Sequence, residues 1–67
     1  MASASIAMLT TYDDAGPVFI VRYHLDDDPD PTFVYFFDRA QAWDYAQKIM
    51  DIAASSFEGG YHWLCND

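Results

Sequence analysis

The chain has 67 residues, of which 52% are hydrophobic and 18% aromatic, and its formal net charge is −8. A chain this short forms one domain, residues 1–67, and its aromatic content excludes a disordered acidic tail. The charge repels phosphates, which argues against direct binding to DNA or RNA and favours a strongly basic protein surface as partner. An alternative is that the acidity only keeps a small, aromatic-rich protein soluble.

A single cysteine, Cys65, cannot form an internal disulfide, whereas secreted domains of this size usually carry several. We therefore expect a reducing, cytoplasmic compartment. Residues 1–5 are small and polar and are predicted to be frayed, and the absence of a basic segment followed by an apolar core argues against a signal peptide. No apolar run approaches the ~18 residues of a membrane span, so no membrane partner is expected.

Two strands joined by a short turn are predicted first. Residues 6–12 and 18–25 are rich in β-branched and large apolar side chains. The five residues between them, 13–17, include aspartate, glycine and proline, which is typical of a turn. Strand alternation divides the second strand into two faces. The predicted core face comprises Phe19, Val21, Tyr23 and Leu25, and the opposite face comprises Val18, Ile20, Arg22 and His24.

Residues 32–37 predict a third strand, which is apolar on both faces. The hydrophobic period changes at Asp38, which is a favourable N-cap, and Gln41 three residues later fits a capping box. From 39 to about 55 the apolar residues recur at helical spacing, and Gly59 and Gly60 end the segment. Residues 61–65 predict a short final strand.

The element order β-β-β-α-β predicts an α+β fold. Strands one to three form an antiparallel meander, and the helix crosses back over one face of the sheet. A right-handed crossover makes strand four parallel to its neighbour, and we expect the spatial order 4-1-2-3. Because one helix cannot cover both faces, the far face is expected to carry rings and charges. The candidates for that face are Arg22, His24 and some of the three residues Val34, Tyr35 and Phe36.

Three groupings of residues suggest metal binding or catalysis, but each lacks a part that the chemistry needs. Asp26, Asp28 and Asp30 imitate the start of a calcium loop, but the glycine and the final glutamate of that pattern are missing. His62 and Cys65 lie three apart, which on a strand places them on opposite faces. A pairing of His24 with Asp26 has no nucleophile or oxyanion site beside it. We therefore expect no metal, no cofactor and no enzyme activity.

The most distinctive segment is the acidic turn, residues 26–30, in which four aspartates fall within five residues and Pro29 is followed by Pro31. We expect a rigid, exposed loop. Further carboxylates are expected in the first turn and along the helix, so that together they line a path resembling part of a phosphate backbone. The predicted partner-binding residues are Asp13, Asp14, Asp26, Asp27, Asp28, Asp30, Asp44, Asp51 and Tyr35.

In its small size, acidity, aromatic content and element order, the chain resembles the phage-encoded anti-CRISPR inhibitors and, more broadly, acidic nucleic-acid mimics. That resemblance covers the whole chain but no shared motif. It implies an inhibitor in the host cytoplasm that docks on a CRISPR effector subunit and blocks recognition of target DNA. The alternative hypothesis is a small interaction module or oligomeric subunit that uses an exposed aromatic sheet face. Either reading is compatible with a monomer or a weak dimer.

Overall fold

The computed structural model describes residues 3–66, with side chains described for residues 3–64. Its elements are β1 (Ala4–Asp13), β2 (Gly16–Leu25), β3 (Thr32–Phe36), α1 (Arg39–Ser56) and β4 (Tyr61–Asn66). The four strands form one sheet in the order β3-β2-β1-β4, in which β4 is parallel to β1 and the other neighbours are antiparallel. The predicted α+β fold, the strand order and the parallel pairing of the last strand are confirmed.

The first strand begins earlier than the sequence pattern indicates. Ala4 already belongs to β1, and its amide donates to the Gly60 carbonyl over 3.1 Å. Ser3 is buried, and its carbonyl accepts the amide of Asp26 over 3.0 Å. The expectation of a frayed segment is therefore corrected for residues 3–5, which the sheet and the acidic turn hold in place. Residues 1 and 2 lie outside the described part of the chain.

The β1–β2 hairpin is also tighter than predicted, since Asp13 pairs directly with Gly16 across the turn. The Asp13 carboxylate accepts the amide of Ala15 over 2.8 Å, and Gly16 adopts a φ of 125°, which other residues rarely reach. Pro17 lies inside β2 opposite Tyr12. A proline is tolerated there because β3 pairs only with residues 19–23, so β2 has a neighbour on one side alone at this point.

The ends of α1 match the signals in the sequence. Asp38 is extended, with φ −126° and ψ 122°, and its carboxylate accepts the amide of Ala40 over 2.9 Å, which confirms it as the N-cap. At the other end, the Phe57 amide donates to the Ala53 carbonyl, and Gly60 at φ 69° turns the chain into β4. The buried residues of the helix are all alanines, namely Ala42, Ala46 and Ala53, which lets α1 pack close to the sheet.

The core lies between α1 and one face of the sheet. Met8 pairs with Val21 on the two central strands, and both are buried beneath Ala42 and Ala46. Phe19 packs against the same cluster, which confirms the predicted core face of the second strand. The rings around this cluster include Trp63 and Tyr45, whereas Trp43 is only partly covered at the margin.

The pairing of β3 with β2 decides which rings face away from the helix. Phe36 lies opposite Phe19, and Val34 lies opposite Val21, so both belong to the helix side. The expectation that Val34 and Phe36 are candidates for the far face is therefore corrected. Tyr35 and Arg22 lie on the far face, as predicted, and Phe33 joins them there, because a strand exposes alternate residues on each side and Phe33 pairs with Arg22.

Candidate protein-binding surfaces

The acidic turn is exposed along its whole length and is held by hydrogen bonds of its own backbone. The Asp28 amide donates to the Leu25 carbonyl over 3.0 Å, and the Asp30 amide donates to the Asp28 carboxylate over 3.0 Å. The hydroxyl of Ser3 donates to the Asp26 carboxylate. Pro29 within the turn and Pro31 directly after it restrict the backbone further.

A second acidic group lies at the opposite end of the sheet. Asp13 and Asp14 are exposed in the β1–β2 hairpin, while the acidic turn follows the other end of the ten-residue strand β2. The chain measures 41 × 22 × 15 Å along its principal axes. The hairpin end also carries Arg39, which lines an open hollow of about 410 Å³ with Tyr12 and Phe19. The hairpin carboxylates and the guanidinium of Arg39 therefore lie at the same end of the sheet.

The carboxylates of α1 are exposed, and a lysine lies between them along the helix. Asp44 and Asp51 are seven residues apart, which places them on one helix face about 10 Å apart along the axis. Lys48 lies between them at positions i+4 and i−3. The predicted acidic path is thus interrupted at its middle, and the densest negative charge lies in the acidic turn.

The face of the sheet opposite α1 is the open sheet face, which we define by Leu9, Ile20, Arg22, Phe33 and Tyr35. Phe33 is 46% exposed and Tyr35 is 61% exposed. Tyr35 was predicted as a binding residue, whereas Phe33 was missed. The signal that could have identified Phe33 is strand alternation, since Phe33 and Tyr35 are two residues apart and must share a face.

A groove lies between the second half of α1 and the strands, at the end where β2 finishes. We call it the helix–sheet groove; its volume is about 250 Å³. It is lined by Ala4, Tyr23, Leu25, Ile49, Ile52, Ala53 and Phe57. Sequence patterns did not reveal this groove because its lining combines residues of β1, β2 and α1 with Phe57, and these segments are distant in the chain.

One tyrosine pair fixes a wall of this groove. Tyr23, which lines it, makes a side-chain hydrogen bond with Tyr45 of α1. Burial, followed by this hydrogen bond, raises the pKa of Tyr45 above its ordinary value. Tyr45 also contacts Phe36, with ring centroids 5.4 Å apart. Tyr23 therefore connects the groove, which it lines, to the ring contact between Tyr45 and Phe36.

Across the described residues, no group of three or more histidine, cysteine, aspartate or glutamate side chains is placed to hold a metal ion. Two of the three carboxylates in the considered calcium pattern, those of Asp26 and Asp28, accept hydrogen bonds within the protein. His24 lies half-buried on β2, whereas Asp26 is exposed in the turn. The side chain of Cys65, the other half of the His62 pair, lies outside the described residues.

Comparison with known proteins gave no match: no family model, curated protein or solved structure is significantly similar to this chain. Within the described part of the chain, no helix combines the length and hydrophobicity needed to cross a lipid bilayer.

Proposed function

We propose that this protein is a non-enzymatic inhibitor that binds a basic nucleic-acid-binding protein through the acidic turn and blocks recognition of DNA. The observation that carries the proposal is the exposure of Asp26, Asp27, Asp28 and Asp30 on a loop with a fixed backbone. A preorganised loop loses little conformational freedom on binding, so more of its electrostatic attraction becomes affinity. A net charge of −8 also steers a basic partner towards the protein from a distance.

The number of acidic residues favours mimicry of a short stretch of DNA by the acidic turn over mimicry of a duplex along the whole protein. A duplex as long as the 41 Å axis of the protein carries roughly 24 phosphates, at one charge per ~1.7 Å. The whole chain has 11 acidic residues, and those of α1 are accompanied by Lys48. The acidic turn alone approaches the local density of a phosphate backbone. We therefore assign it, rather than the full length of the molecule, the contact with the basic surface.

The first target to test is a CRISPR effector subunit, because the chain resembles anti-CRISPR inhibitors in size, acidity and element order. In this proposal a monomer or weak dimer acts in the host cytoplasm and occupies the groove that normally receives target DNA. The remaining predicted contacts, Asp13, Asp14, Asp44, Asp51 and Tyr35, then lie outside the main contact.

The experiment measures binding of a labelled target duplex to a CRISPR effector–guide complex, by fluorescence anisotropy, as the protein is added. The test variant replaces all four aspartates of the acidic turn by asparagine, which keeps the carbonyl oxygens that accept hydrogen bonds. The control removes the same number of charges through Asp13→Asn, Asp14→Asn, Asp44→Asn and Asp51→Asn. We expect the test variant to lose inhibition at least tenfold and the control to retain most of it.

Salt provides the second readout of this experiment. Inhibition by the wild type should weaken steeply as salt is raised, and the test variant should show a smaller dependence. If the test variant inhibits as well as the wild type with the same salt dependence, the acidic mimic is rejected. If the wild type does not displace DNA from the effector, that target is rejected.

A second candidate function is favoured by the exposure of Phe33 and Tyr35. In this candidate, the open sheet face forms a protein-binding or self-association surface, and the acidity serves solubility. Aromatic side chains are enriched at protein interfaces. Association through this face would survive high salt and fail when Phe33 and Tyr35 are both changed to serine. Sedimentation velocity at low and high salt separates this candidate from the acidic mimic.

A further inference from the structure

We infer that the helix–sheet groove binds a partner segment carrying one large apolar side chain flanked by lysine or arginine. The inference rests on the proposed function and specifies the chemistry of the partner. It requires an apolar hollow that this chain leaves unfilled, negative charge at its margin, and a position beside the acidic turn.

Small side chains create the hollow. Ala4 and Ala53 each expose only 1% of their surface and lie at the base of the groove. Larger side chains form the walls, including Leu25 and Phe57. Ile52 lines the groove and is 58% exposed, so an apolar side chain of the helix is left available for contact. Apolar surface arranged around a concavity is the usual setting for a buried anchor residue.

The size of the groove favours an anchor side chain over a small-molecule ligand. Its volume of about 250 Å³ lies below the range of roughly 300–1,000 Å³ that is typical of ligand pockets. The groove is also open to solvent along one side, because it lies on the seam between α1 and the sheet. A side chain inserted from a neighbouring protein therefore fits it better than an enclosed small molecule.

Acidic residues next to the lining residues in the chain favour a basic flank on the partner. Three lining residues, Leu25, Ile52 and Phe57, each adjoin an exposed acidic residue in the chain. These acidic neighbours are Asp26, Asp51 and Glu58. Lys48, which precedes the lining residue Ile49, is the cation closest in sequence. The balance remains negative, so an acidic segment is repelled and a basic one attracted.

The position of the groove links it to the acidic turn. Leu25 lines the groove and Asp26 begins the turn, so a single partner can reach both. An apolar anchor surrounded by a charged rim is the usual composition of a protein interface. The groove then supplies the apolar contact that a purely electrostatic mimic would lack.

The test uses synthetic peptides and the ¹⁵N-labelled protein, with amide shifts followed by NMR. The first peptide has a central phenylalanine flanked by lysines; the second has the same phenylalanine with glutamate flanks; the third has lysine flanks and alanine in place of the phenylalanine. We expect saturable shifts at Ala4, Leu25, Ala53 and Phe57 with the first peptide, and at least tenfold weaker binding of the other two. Equal binding of all three, or shifts confined to other regions, overturns the inference.

The variant Ile52→Arg places a cation at the rim and leaves the buried core untouched, so it should fold and should lose at least tenfold in affinity for the lysine peptide. Tyr12→Arg is the matched control, because Tyr12 is 75% exposed at the opposite end. If Ile52→Arg binds the peptide as the wild type does, the inference is wrong.

The same variant separates this inference from the proposed function. Ile52→Arg keeps all four aspartates of the acidic turn, and we expect it to weaken inhibition of the effector as well. If Ile52→Arg inhibits fully while the four-asparagine variant does not, the groove has no part in the interface and the acidic mimic stands. If the peptide binds in the groove while the four-asparagine variant inhibits fully, the acidic mimic fails and the groove stands as a peptide site.

Discussion

Ser3 and Asp26 are joined by two hydrogen bonds that run in opposite directions. The Asp26 amide donates to the Ser3 carbonyl over 3.0 Å, and the Ser3 hydroxyl donates to the Asp26 carboxylate. Ser3 is buried, whereas Asp26 is exposed at the start of the acidic turn. The segment that precedes β1 is thereby attached to the loop proposed to bind the partner.

Ser3→Ala removes one of these two bonds and should lower the free energy of unfolding by about 1 kcal/mol, the usual contribution of a hydrogen bond. Urea denaturation followed by circular dichroism measures this loss. Ser55→Ala is the control, because Ser55 is exposed on α1 and surface changes usually stay within about 0.5 kcal/mol. Equal stability of Ser3→Ala and the wild type would contradict the role given to this contact.

Trp43 and Trp63 hold the helix against β4. Their ring centroids are 5.7 Å apart and the rings are nearly perpendicular, at 86°. We expect Trp63→Ala to cost about 3 kcal/mol, in the range for large aromatic truncations. In a double-mutant cycle with Trp43→Ala, the coupling energy should be about 1 kcal/mol, as is typical of aromatic pairs. Additive effects in urea denaturation would show that the edge-to-face contact contributes nothing of its own.

The raised pKa of Tyr45 predicts that the folded protein becomes less stable at alkaline pH. Burial and the hydrogen bond with Tyr23 raise its pKa, so the folded state favours the neutral phenol. Tyr45 therefore contributes to the free energy of unfolding in full at pH values below the ordinary tyrosine pKa of about 10. Above that value the unfolded chain releases its proton first, and the contribution is lost as pH rises through the folded pKa.

Urea denaturation between pH 7 and pH 11 should therefore show a decline in the free energy of unfolding above about pH 10, where tyrosine ionises. The decline should be shallower in Tyr45→Phe, which has no proton to release at this position. Comparing the two proteins at pH 7 gives the separate effect of removing the hydroxyl from its bond with Tyr23. Identical slopes for the two proteins would show that Tyr45 does not cause the decline.

Tyr35 and Phe36 are neighbours in β3 and should respond in opposite ways to truncation. Phe36 packs on the core and contacts Tyr45, so Phe36→Ala should cost about 3 kcal/mol. Tyr35 is exposed on the open sheet face, and Tyr35→Ser should change stability by less than about 1 kcal/mol. Thermal or urea unfolding of the two variants measures the difference. A larger loss in Tyr35→Ser would mean that the two faces of β3 are assigned the wrong way round.

Several features of the fold could be predicted from short stretches of sequence. The change of hydrophobic period at Asp38 marks the start of α1, and its capping hydrogen bond is local. The alternation in β2 places Phe19 and Val21 on the core face, which the packing confirms. These predictions succeed because they depend on the repeat of one backbone element or on neighbours a few residues apart.

Other features depended on pairing between distant segments. The division of β3 between core and open face followed from the register that sets Phe36 opposite Phe19, which neither strand specifies alone.

The sequence by itself determined the element order, the helix start, the acidic turn and the core face of β2, because each is a local property of backbone geometry and side-chain period. Only the tertiary structure decided that Ser3 anchors Asp26, that the face shared by Phe33 and Tyr35 points away from α1, and that a groove lies beside the acidic turn. Those relationships join residues far apart in the chain, and they exist only once the strands have paired and α1 has packed on them.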